Sequence, residues 1–159
     1  MLSCLFLSHF TSARRKMLGF SLLELLIVIS LLLILTRMAY PQYTAYLTRA
    51  HRLEGRAALL DLAMRMEEYY AREHTYENAS IGRDRPDDLL PHPYSLQGYY
   101  QLVITQATAT QFSLHAIPTK TQAQRDRRCQ TLSFNSQGQK GIASGPLGIP
   151  QGTREECWS

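Results

Sequence analysis

Catalytic and metal-binding motifs are missing from this chain of 159 residues, which also has only three cysteines and one tryptophan. It contains no G-x-S-x-G, no phosphate-binding loop and no pair of carboxylates placed for acid–base chemistry. Four of its five histidines are scattered without the spacing of metal ligands: His51, His74, His92 and His115. The sequence therefore argues against an enzyme and predicts neither a metal site nor a cofactor.

A conventional secretory cleavage site is missing as well. An apolar run from Phe20 to Leu35 spans roughly 24 Å as a helix, slightly less than the bilayer core of about 30 Å. Flanking apolar residues can extend it across the bilayer. No A-x-A pattern follows the run, although a secretory signal peptide ends in such a site. The run is therefore a membrane anchor, a removable signal or the N-terminal stem of a processed protein.

Glu24 separates these alternatives. A charge inside an apolar run costs about 2.5–3.5 kcal/mol on insertion scales, so a plain anchor explains the length of the run but not the carboxylate. If the chain is cut before the run, after Gly19, Glu24 becomes the fifth residue of the mature protein and lies close to the new amino group of Phe20.

The charge distribution predicts the orientation of the stem. Arg14, Arg15 and Lys16 precede the apolar run, and such a cluster holds its end of the helix in the cytoplasm. Without residues 1–19 the net charge falls from +4 to +1, with 14 basic and 13 acidic residues. The same cut removes Cys4 and leaves a single pair of cysteines, which suits an oxidising compartment outside the cytoplasm.

The remaining pattern predicts one long helix followed by a small sheet. The helix should run from Phe20 to about His74, with a kink at Pro41, which removes a backbone donor. Residues 75–98 are rich in turn-forming residues and predict a loop, and strands are predicted at 99–105, 110–117 and 130–136. An apolar stripe at helical spacing is expected to pack on the sheet: Tyr43, Tyr46, Leu47, Ala50, Leu53, Ala57, Leu60 and Met64.

The segment GFSLLELLIVIS resembles the start of type IV pilins, which supports the third interpretation of the stem. Gly19, Phe20 and Glu24 match the motif, and Pro41 and Tyr43 in YPQY also match. The C-terminal segment that contains RDRRCQTLSFNSQGQKG is most similar to PilE-type minor pilins. Two features depart from the pattern: the leader is long, and Arg37 places a charge in a stem that is usually apolar.

The resemblance implies an α+β pilin fold in three parts. Residues 1–19 are a leader removed by prepilin peptidase, residues 20–41 an apolar transmembrane and assembly helix, and residues 42–159 a head domain that includes the amphipathic part of the helix. It also implies cleavage between Gly19 and Phe20, and N-methylation of Phe20. Before assembly the protein crosses the bacterial inner membrane once, with its head in the periplasm; afterwards it lies in an extracellular pilus.

The resemblance further implies partners and site residues. Other pilin subunits, the inner-membrane assembly machinery and the peptidase are the expected partners. Glu24 pairs with an N-terminal ammonium in the fibre, since a buried carboxylate is tolerated when it is paired. Cys129 and Cys157 form a structural disulfide, and the protein acts as a minor pilin in adhesion, twitching motility or DNA uptake.

Two alternatives to a pilus subunit stay open at this stage. A type II secretion pseudopilin would have the same stem, and a DNA-binding pilin of a competence system would use a basic surface. A basic loop is expected just before Cys129, and a solvated loop is its simplest interpretation because aromatic residues do not alternate with the charges. The residues that could contact DNA phosphates are Lys120, Arg125, Arg127 and Arg128.

Overall fold

A long helix begins the part of the chain, residues 21–159, that the computed structural model describes. This helix, α1, extends over Leu22–Glu73, close to the predicted bounds. The residue that follows it is His74, whose φ of 55° is left-handed and whose N–H donates to the carbonyl of Tyr70 at 2.8 Å. Pro41 lies inside α1, and the kink expected there stays a prediction.

Residues 21–40 form one of two units into which the chain divides. An 18-residue window of α1 has a mean hydropathy of 2.3 with none of it buried, so the helix is long and apolar enough to cross a membrane. Its hydroxyl groups are satisfied within the helix: Ser30 donates to the Leu26 carbonyl at 2.8 Å and Thr36 to the Leu33 carbonyl at 3.0 Å. Such internal bonding is what a hydrocarbon environment requires.

The second unit, residues 41–159, contains a four-stranded antiparallel sheet in the order β1-β2-β3-β4. The strands are β1 Tyr100–Ala107, β2 Phe112–Pro118, β3 Thr131–Asn135 and β4 Lys140–Ala143. Two short helices, α2 Lys120–Arg125 and α3 Arg154–Trp158, complete this unit. The three predicted strands are confirmed, whereas β4, α2 and α3 were not foreseen.

The core of this unit lies between α1 and the sheet. In β2 every second residue is buried, from Phe112 to Pro118, as expected for a strand with one face on a core. Leu59, Leu62 and Met66 of α1 are fully buried against that face. These side chains, with those of the strands, give residues 41–159 a continuous hydrophobic core.

The face of α1 that packs on the sheet is not the predicted one. Tyr43, Leu53 and Met64 of the expected stripe are about 60% exposed, at 61%, 58% and 60%. The buried face carries Thr48 and Gly55 together with the core leucines. Both faces have apolar residues at helical spacing, so periodicity alone could not choose between them. The small residues determine which face is buried, because they let the sheet approach the helix most closely.

Loop 75–98 is confirmed and is ordered by one carboxylate. Asp88 accepts hydrogen bonds from the Ser80 hydroxyl, from the Arg83 N–H at 2.7 Å and from the Arg85 N–H at 3.1 Å. The pKa of Asp88 is lowered, first by the Ser80 hydrogen bond and then by the backbone donors. The loop is therefore held by an ionised aspartate at neutral pH.

Gly55 should not tolerate a methyl group. A Cβ at this position would lie 2.6 Å from the ring of Tyr100, which is fully buried. We expect Gly55→Ala to destabilise residues 41–159 by about 1–3 kcal/mol through overpacking, although alanine is the better helix former. Urea unfolding measures the change. As a control, Ala57→Gly on the exposed face should cost about 1 kcal/mol or less. A Gly55→Ala protein more stable than wild type would contradict this packing.

Candidate nucleic-acid interface

The sequence-predicted residues fall into separate parts of the structure. Gly19 and Phe20 lie outside the described residues, and Glu24 is exposed in the first turn of α1. Lys120 is the first residue of α2 and Arg125 the last, so the expected basic loop is in part a helix. The helical turn begins after Thr119, because the N–H groups of Gln122 and Ala123 donate to the Thr119 carbonyl. Arg127 and Arg128 follow α2 and are exposed.

A buried ion pair holds α2 against α1. Arg52 donates to both carboxylate oxygens of Asp126, with Nε–Oδ2 at 2.8 Å and Nη2–Oδ1 at 2.7 Å. The Asp126 side chain is only 1% exposed and that of Arg52 12%. This paired geometry supplies the compensation that a buried carboxylate needs. Asp126 closes α2, so the pair fixes where the following arginines leave the helix.

Polar groups around Asp126 complete a buried network. The Gln122 amide donates to the Tyr100 hydroxyl at 3.1 Å and to the Thr48 carbonyl at 3.2 Å, and its oxygen accepts from His51 Nδ1 at 3.2 Å. Tyr100 OH donates to Asp126 at 3.4 Å. Burial, and then the charge of Asp126, raise the pKa of Tyr100, so its hydroxyl stays protonated. The network connects α1, α2 and β1 through satisfied hydrogen bonds.

The cysteine pair extends this arrangement to α3. Cys129 and Cys157 form a disulfide with a Cα–Cα distance of 5.5 Å, which confirms the expected pairing. In α3, Thr153 and Glu156 form a reciprocal capping box at the first turn. Arg52 Nη1 also reaches the Glu156 carbonyl at 3.4 Å, and Arg56 donates to the Ser159 carbonyl. Cations from α1 therefore satisfy carbonyl groups at the end of α3.

A cleft of about 420 Å³ opens beside this network. Its charged lining consists of Arg49, Arg52, Arg125 and Arg128 with Asp126 and Glu156, and we call it the arginine cleft. Four positive and two negative side chains leave a local net charge of +2. Such a surface attracts polyanions, and arginine in particular binds phosphate groups through its planar fork.

The exposed arginines near this cleft differ in availability. Arg128 donates to both oxygens of Glu156, at 2.9 and 2.8 Å. The Glu156 contacts raise the pKa of Arg128, and Arg128 in turn lowers the pKa of Glu156. Within residues 21–159, Arg49, Arg125 and Arg127 are exposed and form no ion pair. These three are therefore the arginines most open to an external anion.

Sequence reasoning missed the residues that organise the cleft. Arg49 and Arg52 lie on α1 outside the apolar stripe that the sequence singles out, and Asp126 could not be paired with Arg52 across 74 positions without a structure. A signal for α3 was present, because T-x-x-E at 153–156 is the pattern of a capping box.

Two protein-family models match this chain. Residues 14–40 match the prokaryotic N-terminal methylation motif. Residues 41–133 match the family described as type IV minor pilin ComP, DNA uptake sequence receptor. A similar solved structure is that of the non-core minor pilin PilV of Neisseria meningitidis, with 20% identity, a TM-score of 0.48 and coverage of 67% of this chain and 97% of that one. No curated protein matches the chain.

A methylation-motif stem that continues as the packed helix of a small α+β head defines a type IV pilin. The chain belongs to the type IV minor pilin ComP, DNA uptake sequence receptor family, whose model covers more than half of it. It is a minor pilin, and proteins of this class are structural subunits of the pilus. Its partners are accordingly other pilin subunits and the machinery that assembles them.

The disulfide should contribute substantially to stability. Cys129 and Cys157 are 28 positions apart, and closing a loop of that size contributes roughly 3.5 kcal/mol in the chain-entropy model. We expect the double variant Cys129→Ala/Cys157→Ala to lose about 2–4 kcal/mol in urea unfolding. Reduced wild-type protein provides the matched control and should unfold at the same urea concentration as the double variant. Equal stability of the oxidised and reduced proteins would contradict this role.

Proposed function

We propose that this minor pilin binds DNA, with the arginine cleft and the adjoining Arg127 contacting backbone phosphates. The observation that carries the proposal is the fixed placement of Arg125, Arg127 and Arg128 at the end of α2, where the Arg52–Asp126 pair and the disulfide anchor both flanks. The family description, which names a DNA uptake sequence receptor, supports the same function.

Phosphate contact is the chemistry these residues suit best. Exposed arginines on a short rigid segment reach a polyanion without a large ordering cost, and each phosphate they neutralise releases bound counterions. Such contacts position a protein on DNA and carry no base sequence information. Recognition of a base sequence would require further side chains in contact with the edges of the bases.

Glu156 should weaken the binding of phosphate at this site. Its carboxylate holds Arg128, so a phosphate must compete with an existing ion pair before it gains that cation. As the pH falls through the lowered pKa of Glu156, the carboxylate is neutralised and Arg128 is released. Binding should therefore strengthen in acid, where the arginines themselves do not change their charge.

Substitutions at this cleft should change DNA affinity in opposite directions. Arg125→Gln and Arg127→Gln should each weaken binding several-fold and reduce the slope of log K against log salt by about 1. Glu156→Gln should strengthen binding, because it frees Arg128 while glutamine keeps the capping box. Anisotropy of a labelled duplex with residues 41–159, measured at several salt concentrations, gives both quantities.

The matched control is Arg72→Gln. Arg72 lies in the last turn of α1, about 30 Å along the helix from Arg52, so its loss should leave affinity nearly unchanged. If Arg125→Gln and Arg127→Gln bind as wild type does, the cleft is not the DNA site. If wild-type protein binds no duplex at all, the proposed function is wrong.

The stem supports a proposal about processing and assembly. Cleavage after Gly19 by prepilin peptidase and methylation of Phe20 would leave Glu24 near a new N-terminus in the inner membrane, with the head in the periplasm. In the fibre Glu24 would pair with the Phe20 ammonium of its own or a neighbouring subunit. The exposed stripe of Tyr43, Leu53 and Met64 offers further apolar area for packing against those subunits.

Replacing Glu24 should separate insertion from assembly. Glu24→Leu makes the stem more apolar, so membrane insertion and cleavage should survive, but an N-terminal ammonium would then be buried without its partner at a cost of about 3–5 kcal/mol. We expect cleaved protein in the inner membrane and little of it in sheared fibres, as immunoblotting measures. Ser30→Leu, which also makes the run more apolar but keeps Glu24, should enter fibres normally. Wild-type levels of Glu24→Leu protein in fibres would refute the pairing.

A further inference from the structure

A second recess lies outside the arginine cleft, between the β3–β4 turn and α3. Its volume is about 600 Å³, within the range of small-ligand sites. The lining contains Gly138, Gln139, Lys140, Arg154, Glu155 and Trp158. We call it the Trp158 recess. It contains the single tryptophan of the chain and no part of the buried network around Asp126.

The indole ring in this recess is held in one orientation. Trp158 Nε1 donates to the Gly141 carbonyl at 2.9 Å, and the ring packs on Phe134 with a centroid distance of 6.4 Å. The neighbouring Cys157 is tied to Cys129 by the disulfide. Trp158 nonetheless stays partly exposed. A fixed and partly exposed aromatic ring is a stacking platform that loses little conformational entropy on binding.

The opposite wall of the recess is also rigid. The side chain of Asn135 accepts from the Gln137 N–H at 3.1 Å and from the Gln139 N–H at 2.9 Å. Gly138 has a φ of 73°, which is left-handed, and it bonds back to the Asn135 carbonyl at 3.0 Å. The turn therefore keeps Lys140 beside the ring without help from a ligand.

Charged groups surround the ring. Lys140 Nζ lies 5.5 Å from the ring centroid, at the distance of a cation–π contact. Arg154 is 63% exposed and pairs with Glu155 at 3.0 Å, and Glu155 is 72% exposed. Two cations and one carboxylate give the recess a net charge of +1. An aromatic platform with an exposed ammonium beside it has the chemistry that binds a nucleobase and its phosphate together.

We propose that the Trp158 recess binds one nucleotide of single-stranded DNA, with the base stacked on the indole and a phosphate contacted by Lys140. This inference rests on the proposed function and adds a contact with an unpaired base beside the phosphate contacts proposed for the arginine cleft. A paired base is covered by its neighbours in a duplex, so only an unpaired base can lie flat on the ring. The ammonium of Lys140 moves from the ring to the phosphate as the base enters.

The single tryptophan makes the test direct. Full-length processed protein in detergent micelles is titrated with a short oligothymidylate and, separately, with a blunt duplex, while tryptophan fluorescence is followed. We expect the single strand to quench the fluorescence and the duplex to do so much less. By anisotropy, Trp158→Leu should weaken single-strand binding roughly tenfold or more, and Trp158→Phe should keep part of that affinity.

Lys140→Gln serves as the second variant, because its exposed side chain is replaced without disturbing the core. It should weaken single-strand binding several-fold and leave duplex binding close to wild type. Arg125→Gln should show the reverse preference, with tryptophan quenching retained. These paired variants distinguish this recess from the arginine cleft.

Three results would overturn the inference. Duplex binding that depends on Arg125, without quenching by the oligothymidylate, would leave the proposed function intact and remove this recess from it. Quenching by an anionic polysaccharide alone would assign the recess to a different ligand. Absence of binding to either form of DNA would overturn this inference together with the proposed function.

Discussion

The ion pair between Arg52 and Asp126 is the interaction on which the arrangement of the head depends. A carboxylate that is 1% exposed is tolerated only with a partner, so α2 must dock where Arg52 emerges from α1. Docking places the arginines that follow α2 on one surface and sets the position of Cys129. The disulfide then carries the constraint to α3 and to Trp158. Both proposed DNA-contacting surfaces are therefore positioned by one buried contact.

Close approach between α1 and the sheet is the second condition for this geometry. Gly55 lets the Tyr100 ring lie directly on the helix, which brings the Tyr100 hydroxyl to Gln122 and Asp126. The buried face of α1 thus combines small residues, leucines and one paired arginine. Its opposite face keeps Tyr43, Leu53 and Met64 exposed, which leaves apolar area available to other subunits of a pilus.

Much of the fold could be predicted from local sequence signals. Three signals depend only on residues that are close together in the sequence: the apolar run, the turn-rich segment 75–98 and the alternation within the strands. They located α1, the loop and three strands. The choice between two apolar faces of α1 depended on tertiary packing at Gly55, so the predicted stripe was wrong. For the site, arginines near Cys129 were visible in the sequence, but Arg52 and Asp126 meet only through the fold. The capping box of α3 was readable and was missed.

A double-mutant cycle on Arg52 and Asp126 tests the central claim most directly, with urea unfolding of residues 41–159 as the readout. Arg52→Leu and Asp126→Leu should each cost about 3–5 kcal/mol, and the double variant should recover most of that loss, because no unpaired buried charge remains. The exposed pair of Asp61 and Arg65 supplies the reference cycle, with a coupling below about 1 kcal/mol. A double variant whose loss equals the sum of the single losses would contradict the account.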